Sequence, residues 1–387
     1  MTEPHNKEAA ALLAGTVDAL PAGALEAQLD LGRPLRVKFG IDPTAPDIHL
    51  GHVVVLRKLR EFQDLGHTVV LIIGDYTARV GDPSGRSATR PVLSPEQIDA
   101  NAETFKRQAF TVLDRECTEI RRNSEWLDMS MQDLFALTRG STVAQLLERD
   151  DFAKRFADRR PISILELLYP LLQGYDSHAV GADVELGGTD QKFNLLHARA
   201  IQQQYGSAQQ SVLTMPILPG IDGVERMSKS LGNYVAVTDL PDQLFGKLMR
   251  IPDQVMPTYY ELLLGRIPDP AAPPVIAKRA LAGELTDRFH GAGAGAAAER
   301  AFDTLHVDHG IPDEIEEDAL PDGETIHLPE LLAGSFGISR SEARRLLAGG
   351  GVKLDGAALG RDDLDLDRAR LEGAVLQIGR RRHRRYV

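Results

Sequence analysis

Two short segments carry side chains whose types and spacing suit chemistry on an anion. His49-Leu50-Gly51-His52 follows a strand-like run, and Arg226-Met227-Ser228-Lys229-Ser230 lies far downstream. Side chains three apart at a helix start share a face, so both imidazoles can reach one ligand. A helix start also offers unpaired N–H groups and partial positive charge. Gly51 removes a side chain where a flat group would need close approach. In the second segment Arg226 and Lys229 can stabilise a departing phosphate group, and Gly220, Gly223 and Gly232 give the loop mobility. Together the segments suit a site that grips a triphosphate from two sides. Reaction at its α-phosphate builds charge on oxygen without needing a strong base, so positioned donors supply most of the catalysis. The plain alternatives are two surface histidines beside a turn and an exposed basic loop. A histidine metal site lacks a third ligand at metal spacing.

The elements that must position these residues read as alternating strands and helices. Leu35-Arg36-Val37-Lys38-Phe39-Gly40 reads as a strand, and Gly40-Ile41-Asp42-Pro43-Thr44 as a turn whose prolines delay the helix. A helix follows from about residue 49 to 65, with Val55, Leu56, Leu59 and Phe62 as its apolar stripe and Gly66 as its stop. Val69-Val70-Leu71-Ile72-Ile73 is continuously apolar, as in a parallel strand covered on both faces. This is a βαβ unit. Ser94 and Pro95 predict another helix start, and residues 130–175 read as mostly helical. Val184-Glu185-Leu186 reads as a strand, Gly187-Gly188 as a turn, and a helix starts at Asp190. Residues 212–216 predict a further strand. At the amino end, residues 5–31 read as helix interrupted at Pro21. After Tyr234 the pattern is helical. Gly291 to Gly295 is a linker or a loose helix start, and the acidic run 312–324, with two prolines, predicts a linker.

The chain has 387 residues, enough for two or three domains, with a net charge of -12. Bulk charge therefore excludes general attraction to nucleic acid, and any RNA contact must use local basic patches. Cys117 is the single cysteine, which excludes a disulfide framework and a cysteine metal cluster. A cytoplasmic setting is the simplest expectation: the first residues lack a signal-peptide core, and the apolar run at 69–73 is too short to span a bilayer. From Arg340 to Arg385 the balance reverses, with twelve Lys and Arg against seven Asp and Glu.

The motifs in this order resemble the bacterial tyrosyl-tRNA synthetases, a class I aminoacyl-tRNA synthetase family, and in wording its second bacterial branch. The likeness rests on Phe39 through His52, Gly81-Asp82-Pro83-Ser84-Gly85, Tyr169-Pro170-Leu171-Leu172-Gln173-Gly174-Tyr175-Asp176 and Gly187-Gly188-Thr189-Asp190-Gln191. It implies an α/β fold: a Rossmann-type parallel-sheet catalytic domain, an α-helical domain and a small α+β S4-like RNA-binding domain. The expected bounds are 1–34 for an amino-terminal segment, 35–233 for the catalytic domain, 234–320 for the helical domain and 325–387 for the S4-like module. The resemblance assigns Thr44, His49, Arg226 and Lys229 to the phosphates and His52 to the ribose side. Asp190 takes the ribose hydroxyl. Gly40, Asp42, Gly51, Gly188, Met227, Ser228 and Ser230 line the nucleotide. Asp82, Tyr169 and Gln173 hold the substrate ammonium, Gln191 stands near its carboxylate, and Asp176 accepts from its phenol.

Residue chemistry supports this set. An ammonium needs carboxylates and neutral acceptors, and a buried phenol needs a polar partner. Tyr169, Gln173 and Asp176 fall on one helical face. Three positions depart from the usual pattern: Leu50 replaces isoleucine, Arg226 replaces lysine, and Lys38 stands where the better-known branch has a substrate-contacting tyrosine. Lys38 is either a second phenol contact or a strand residue facing solvent.

Arg340, Arg344 and Arg345 on a capped helix, with Lys353 on the next strand, predict backbone contacts to RNA. Arg380-Arg381-Arg382-His383-Arg384-Arg385 is a further basic surface or a solvated tail. The implied partners are tRNA(Tyr), L-tyrosine and ATP, with Mg²⁺ accompanying ATP, no tightly bound cofactor, and a homodimer. Tryptophanyl-tRNA synthetase shares the fold, but the Tyr169–Gln173–Asp176 set and the basic end argue against it. A non-catalytic RNA-binding relative is the alternative from another class, and the complete motifs argue against that. A dinucleotide dehydrogenase would need a Gly-x-Gly-x-x-Gly turn that the first βα unit lacks.

Overall fold

The computed structural model describes residues 3–44, 47–83, 93–306, 315–379 and 382–387. The chain divides into two compact units, residues 1–282 and 283–387.

The first unit is built on a six-stranded sheet of β1 (Asp18–Leu20), β2 (Arg36–Ile41), β3 (Thr68–Ile73), β4 (Thr118–Arg122), β5 (Val184–Gly188) and β6 (Ser211–Met215). Their order is β1-β6-β5-β2-β3-β4. β2 to β6 pair in parallel. β1 runs antiparallel on the β6 edge. The apolar run of β3 is fully buried, as a parallel strand covered on both faces must be. From β2 the chain winds one way to β3, and from β5 the other way to β6. The β2–β5 seam is therefore the topological switch point, where such sheets open a crevice beyond the strand ends.

Two helices place the predicted site residues around that crevice. The histidine helix (Leu50–Asp64) buries Leu50, Val53, Val54, Leu56, Leu59 and Phe62. The helix Ile164–Ala179 closes a run of insertion helices after β4 (Met131–Arg139, Val143–Leu146, Asp150–Ala157). Ser130, Thr142 and Ser163 cap three of them through capping boxes. Ser94 caps the predicted helix Pro95–Ala109 in the same way.

The amino end differs from its predicted helix. The first helix stops at Leu13, Gly15 takes φ 73°, and the chain becomes β1. Val17 N–H donates to the Thr214 carbonyl (2.8 Å), so tertiary pairing with β6 overrides the helical spacing. β4 carries no alternating pattern in Thr118-Glu119-Ile120-Arg121-Arg122, because it is a half-buried edge.

The second unit holds the basic end. Gly295 lies so close to Gly283 that a Cβ would meet its carbonyl at 2.3 Å, and Ala294–His306 is a helix, so the glycine run is a packed helix start. A five-stranded sheet and the helices Leu328–Phe336 and Arg340–Ala348 bury Leu332, Leu347, Leu376 and Tyr386 together. The segment Arg382–Tyr386 is a strand between Val375–Ile378 and Glu317–Asp318, so residues 382–386 are not a solvated tail. The described part of the acidic run contains a two-residue edge strand, Glu317–Asp318, with Arg384 paired to Glu316 and Asp318. Arg380, Arg381 and residues 312–314 lie outside the described residues.

Candidate active site

A cavity of about 350 Å³ opens at the carboxyl ends of β2 and β5. On one side it is lined by Thr44, His49, Gly51, His52, Arg226, Met227 and Ser228. Gly40, Asp42, Gly188 and Asp190 come from the strand ends, and Asp82, Tyr169, Gln173, Asp176 and Gln191 from the other side. Lys229 and Ser230 belong to the same loop but do not line the cavity. Ser230 is exposed and its hydroxyl lies 2.8 Å from that of Ser228.

His49 occupies the cap position of its helix, and its N–H donates to Nδ1 of His52 (3.2 Å). Accepting at Nδ1 leaves the neutral His52 ring with its proton on Nε2. The two rings lie 4.0 Å apart. Burial pushes His52 down to about 4 and His49 further, and the Lys229 ammonium adds to both shifts. Burial also lowers Lys229 itself. His49 Nδ1 and Lys229 Nζ are buried with no hydrogen-bond partner among the described residues. Buried polar atoms without partners are costly; an anion in the cavity would satisfy His49 when Nδ1 carries the ring proton, and Lys229 Nζ only after its loop moves inward. A Cβ at Gly51 would press on the His49 ring at 3.0 Å, so this glycine first makes room for the histidine.

On the opposite side the carboxylates are already bonded, while Gln173 Oε1 has no partner among the described residues. Tyr169 OH donates to Asp42 Oδ2 (2.9 Å), and Thr77 Oγ1 donates to Asp42 Oδ1 (2.7 Å). Burial pushes Asp42 up to about 7, with Asp82 and Asp176 adding repulsion. Gln191 Nε2 donates to Asp82 Oδ2 (2.8 Å), and Arg149 from the insertion donates to Asp82 Oδ1 (3.2 Å). Asp176 accepts from Trp126 Nε1 (2.8 Å) and, at 3.4 Å, from Asn123 Nδ2. Its pKa rises to about 6 through burial, opposed by Lys38 and those two donors. Asp190 also lies above the ordinary carboxylate range, through burial and Asp82, and pairs with Arg226 at 3.4 Å.

Lys38 neither faces solvent nor lines the cavity. It is fully buried behind it, with Nζ 2.8 Å from Glu185. A strand spacing alone does not reveal which face is covered, and here the helix Ile164–Ala179 covers it.

Several positioning residues carry no motif. Gln108 donates to Asp47 Oδ1 (3.0 Å) and accepts from Ile48 N–H, and Asn101 donates to the Pro43 carbonyl (2.9 Å), fixing the loop before His49. Asn233 accepts from Ser228 N–H (2.8 Å) and donates to the Arg226 carbonyl (3.1 Å) and to Asp222. Gly220 lets Asn233 in: a Cβ there would meet its amide at 2.3 Å, so this glycine serves close packing. The signals available in sequence were single polar residues flanking motifs, which are too common to single out. Ser84 and Gly85 lie outside the described residues.

In the second unit Ser339 caps the helix of Arg340, Arg344 and Arg345, accepting from Glu342 N–H (3.1 Å). Those arginines and Lys353 are exposed, and Arg340 pairs with Glu330. Among the described residues no helix is long and apolar enough to cross a membrane.

Residues 30–307 match the family model described as tRNA synthetases class I (W and Y). The tyrosine–tRNA ligase of Moorella thermoacetica is 48% identical over 96% of this chain and 93% of its own length. That of Burkholderia mallei is 51% identical over 92% and 87%. Among solved structures, the tyrosyl-tRNA synthetase from Archaeoglobus fulgidus complexed with L-tyrosine aligns with a TM-score of 0.62 at 20% identity, covering 76% of this chain and 99% of that one. The truncated Aspergillus nidulans mitochondrial enzyme gives 0.63 at 19%, covering 78% and 94%. The chain therefore belongs to the class I tRNA synthetases of the tryptophan and tyrosine group.

Proposed function

We infer that this chain is a tyrosine–tRNA ligase. Tyrosine carboxylate attacks the α-phosphorus of ATP, pyrophosphate leaves, and the terminal ribose hydroxyl of tRNA(Tyr) then takes the tyrosyl group as AMP departs. The observation that carries the reading is one cavity with two unlike sides. On one side His49 Nδ1, and behind its wall Lys229 Nζ, are buried and have no partner among the described residues. The other sets Tyr169, Gln173 and Asp176 on a single helix face.

In this reading Thr44, His49, Arg226 and Lys229 take the phosphates, His52 and Asp190 the ribose side, and Gly40, Asp42, Gly51, Gly188, Met227, Ser228 and Ser230 surround the nucleotide. Asp82, Tyr169 and Gln173 hold the ammonium, Gln191 faces the carboxylate, and Asp176 accepts from the phenol. Lys229 reaches the pyrophosphate when the loop carrying it moves inward, since Nζ lies behind the cavity wall in the free chain. Mg²⁺ enters with ATP. Arg344, Arg345 and Lys353 meet the tRNA backbone, and Arg340 joins them on release from Glu330. The functional division is a catalytic domain over 35–233, a helical domain over 234–320 and an S4-like module over 325–387, working in the cytoplasm.

The same reading makes the protein a homodimer. Exposed Met131, Phe135, Val143, Phe156, Ile164 and Leu165 all belong to the insertion, and apolar side chains gathered in this way suit burial against a second copy. Sedimentation is expected to give about twice 42.3 kDa.

Pyrophosphate exchange with each of the twenty amino acids tests the activity. Tyrosine alone is expected to drive it. Exchange driven by tryptophan and not by tyrosine would overturn the reading.

A further inference from the structure

Lys38 and Glu185 are cross-strand neighbours at the β2–β5 seam, in the floor of the switch-point crevice. Both are buried, at 0% and 1% exposure, and Glu185 also lines the cavity. Lone charges in strands that are otherwise buried and apolar are expensive unless every polar atom is met. Here they are met. Glu185 Oε1 accepts from Lys38 Nζ (2.8 Å) and from Gln173 Nε2 (3.3 Å). Its Oε2 accepts from Ser177 Oγ (3.1 Å) and from Gln210 Nε2. Lys38 also donates to Ser177 Oγ (2.7 Å) and to the Gln173 carbonyl (2.9 Å).

Two polar atoms at the edge of this network stay unmet among the described residues, Gln210 Oε1, which does not line the cavity, and Gln173 Oε1. Gln173 Oε1 is buried and has no partner among the described residues, while Gln173 lines the cavity. An ionised carboxylate only accepts hydrogen bonds, so beside Glu185 the Gln173 amide must present its NH₂ inward. Its carbonyl then faces the cavity as a bare acceptor. The flipped amide would set NH₂ against the substrate ammonium and oxygen against a carboxylate.

We propose that Lys38 and Glu185 are positioning residues for tyrosine: the buried pair fixes the Gln173 amide with its carbonyl toward the cavity, where the substrate ammonium binds. This rests on the tyrosine-ligase reading, because it needs a cationic donor in the cavity. It also answers what replaces the tyrosine of the better-known branch at position 38. The replacement works from behind the wall through another residue.

The test is Lys38→Met/Glu185→Gln, which removes both charges at similar volume and leaves no unpaired buried ion. With a carboxamide in place of the Glu185 carboxylate, the two facing amides can each turn either way. In pyrophosphate exchange, the KM for tyrosine is expected to rise tenfold or more. The KM for ATP and the kcat at saturating tyrosine are expected to stay within about threefold. In a Gln173→Ala background the same pair of changes is expected to raise the tyrosine KM less than twofold further, because the residue they act through is gone. An unchanged tyrosine KM, or a full additional rise in the Gln173→Ala background, overturns the proposal. If the double variant does not fold, Lys38→Gln/Glu185→Gln, which also leaves no buried ion and keeps a donor toward Ser177 and the Gln173 carbonyl, carries the same expectations. Wild-type protein that fails with tyrosine would instead overturn the ligase reading, so the two failures are distinct.

Discussion

The two sides of the cavity are finished to different degrees. Around His49 and Lys229, buried nitrogens lack partners among the described residues, and burial lowers the pKa of both histidines and of the lysine. Around Asp176 and Asp42, the acceptors are already bonded to Trp126, Asn123, Thr77 and Tyr169. A side that receives charge during the reaction gains from donors whose bonds are not yet made. A side that must discriminate gains from groups held in one geometry before the substrate arrives. The division of labour is thus written in hydrogen-bond satisfaction.

Lys229→Ala should break the first side most severely. Loss of a donor to developing phosphate charge is expected to slow adenylate formation by about 10²–10³-fold, read by single-turnover quench. Asp176→Asn strikes the second. It weakens the acceptor for the phenol, and tyrosine affinity is expected to fall about 10–100-fold, read by equilibrium dialysis, with ATP affinity unchanged.

Asp42→Asn should separate stability from activity. Burial raises this carboxyl from 3.8 to about 7, so the folded chain holds its proton more tightly than the unfolded chain does. Its ionisation therefore destabilises the fold. The penalty is absent below pH 3.8, grows through the interval and is full above about pH 7. Denaturant melts at pH 8 are expected to show the variant more stable by about 1–3 kcal/mol, with the gain fading toward pH 4. Its adenylation is expected to fall. The smallest effect is a titration shift. Pyrophosphate binding is expected to raise the His52 pKa from about 4, because a nearby anion favours imidazolium. Histidine ring NMR with and without pyrophosphate reads it, and an unmoved or lowered value would place the anion elsewhere.

Much of the cavity lining could be read from the chain because local spacing encodes it. His49 and His52 at a helix start, and Tyr169, Gln173 and Asp176 on one helix face, need only the period of a helix. The βαβ units followed from one apolar run and two glycine stops. What stayed hidden depends on distant partners. Lys38 gains meaning only from Glu185, almost 150 residues away, and a charged residue in each of two buried strands was the one available signal. Arg149, Asn233 and Gln108 act through side-chain bonds that no periodicity marks. β1 took a helical reading because its three residues answer to β6 rather than to their neighbours. The acidic run from 312 looked like a linker because its cations, Arg384 and Arg385, come some 70 residues later.

The most direct test of the divided cavity measures tyrosyl-adenylate formation in single turnovers, with Lys229→Ala and Asp176→Asn side by side and tyrosine varied. The predicted result is a lower rate constant with unchanged tyrosine affinity for the first, and weaker tyrosine affinity with a nearly unchanged saturating rate constant for the second. Both substitutions altering the same parameter would contradict the account.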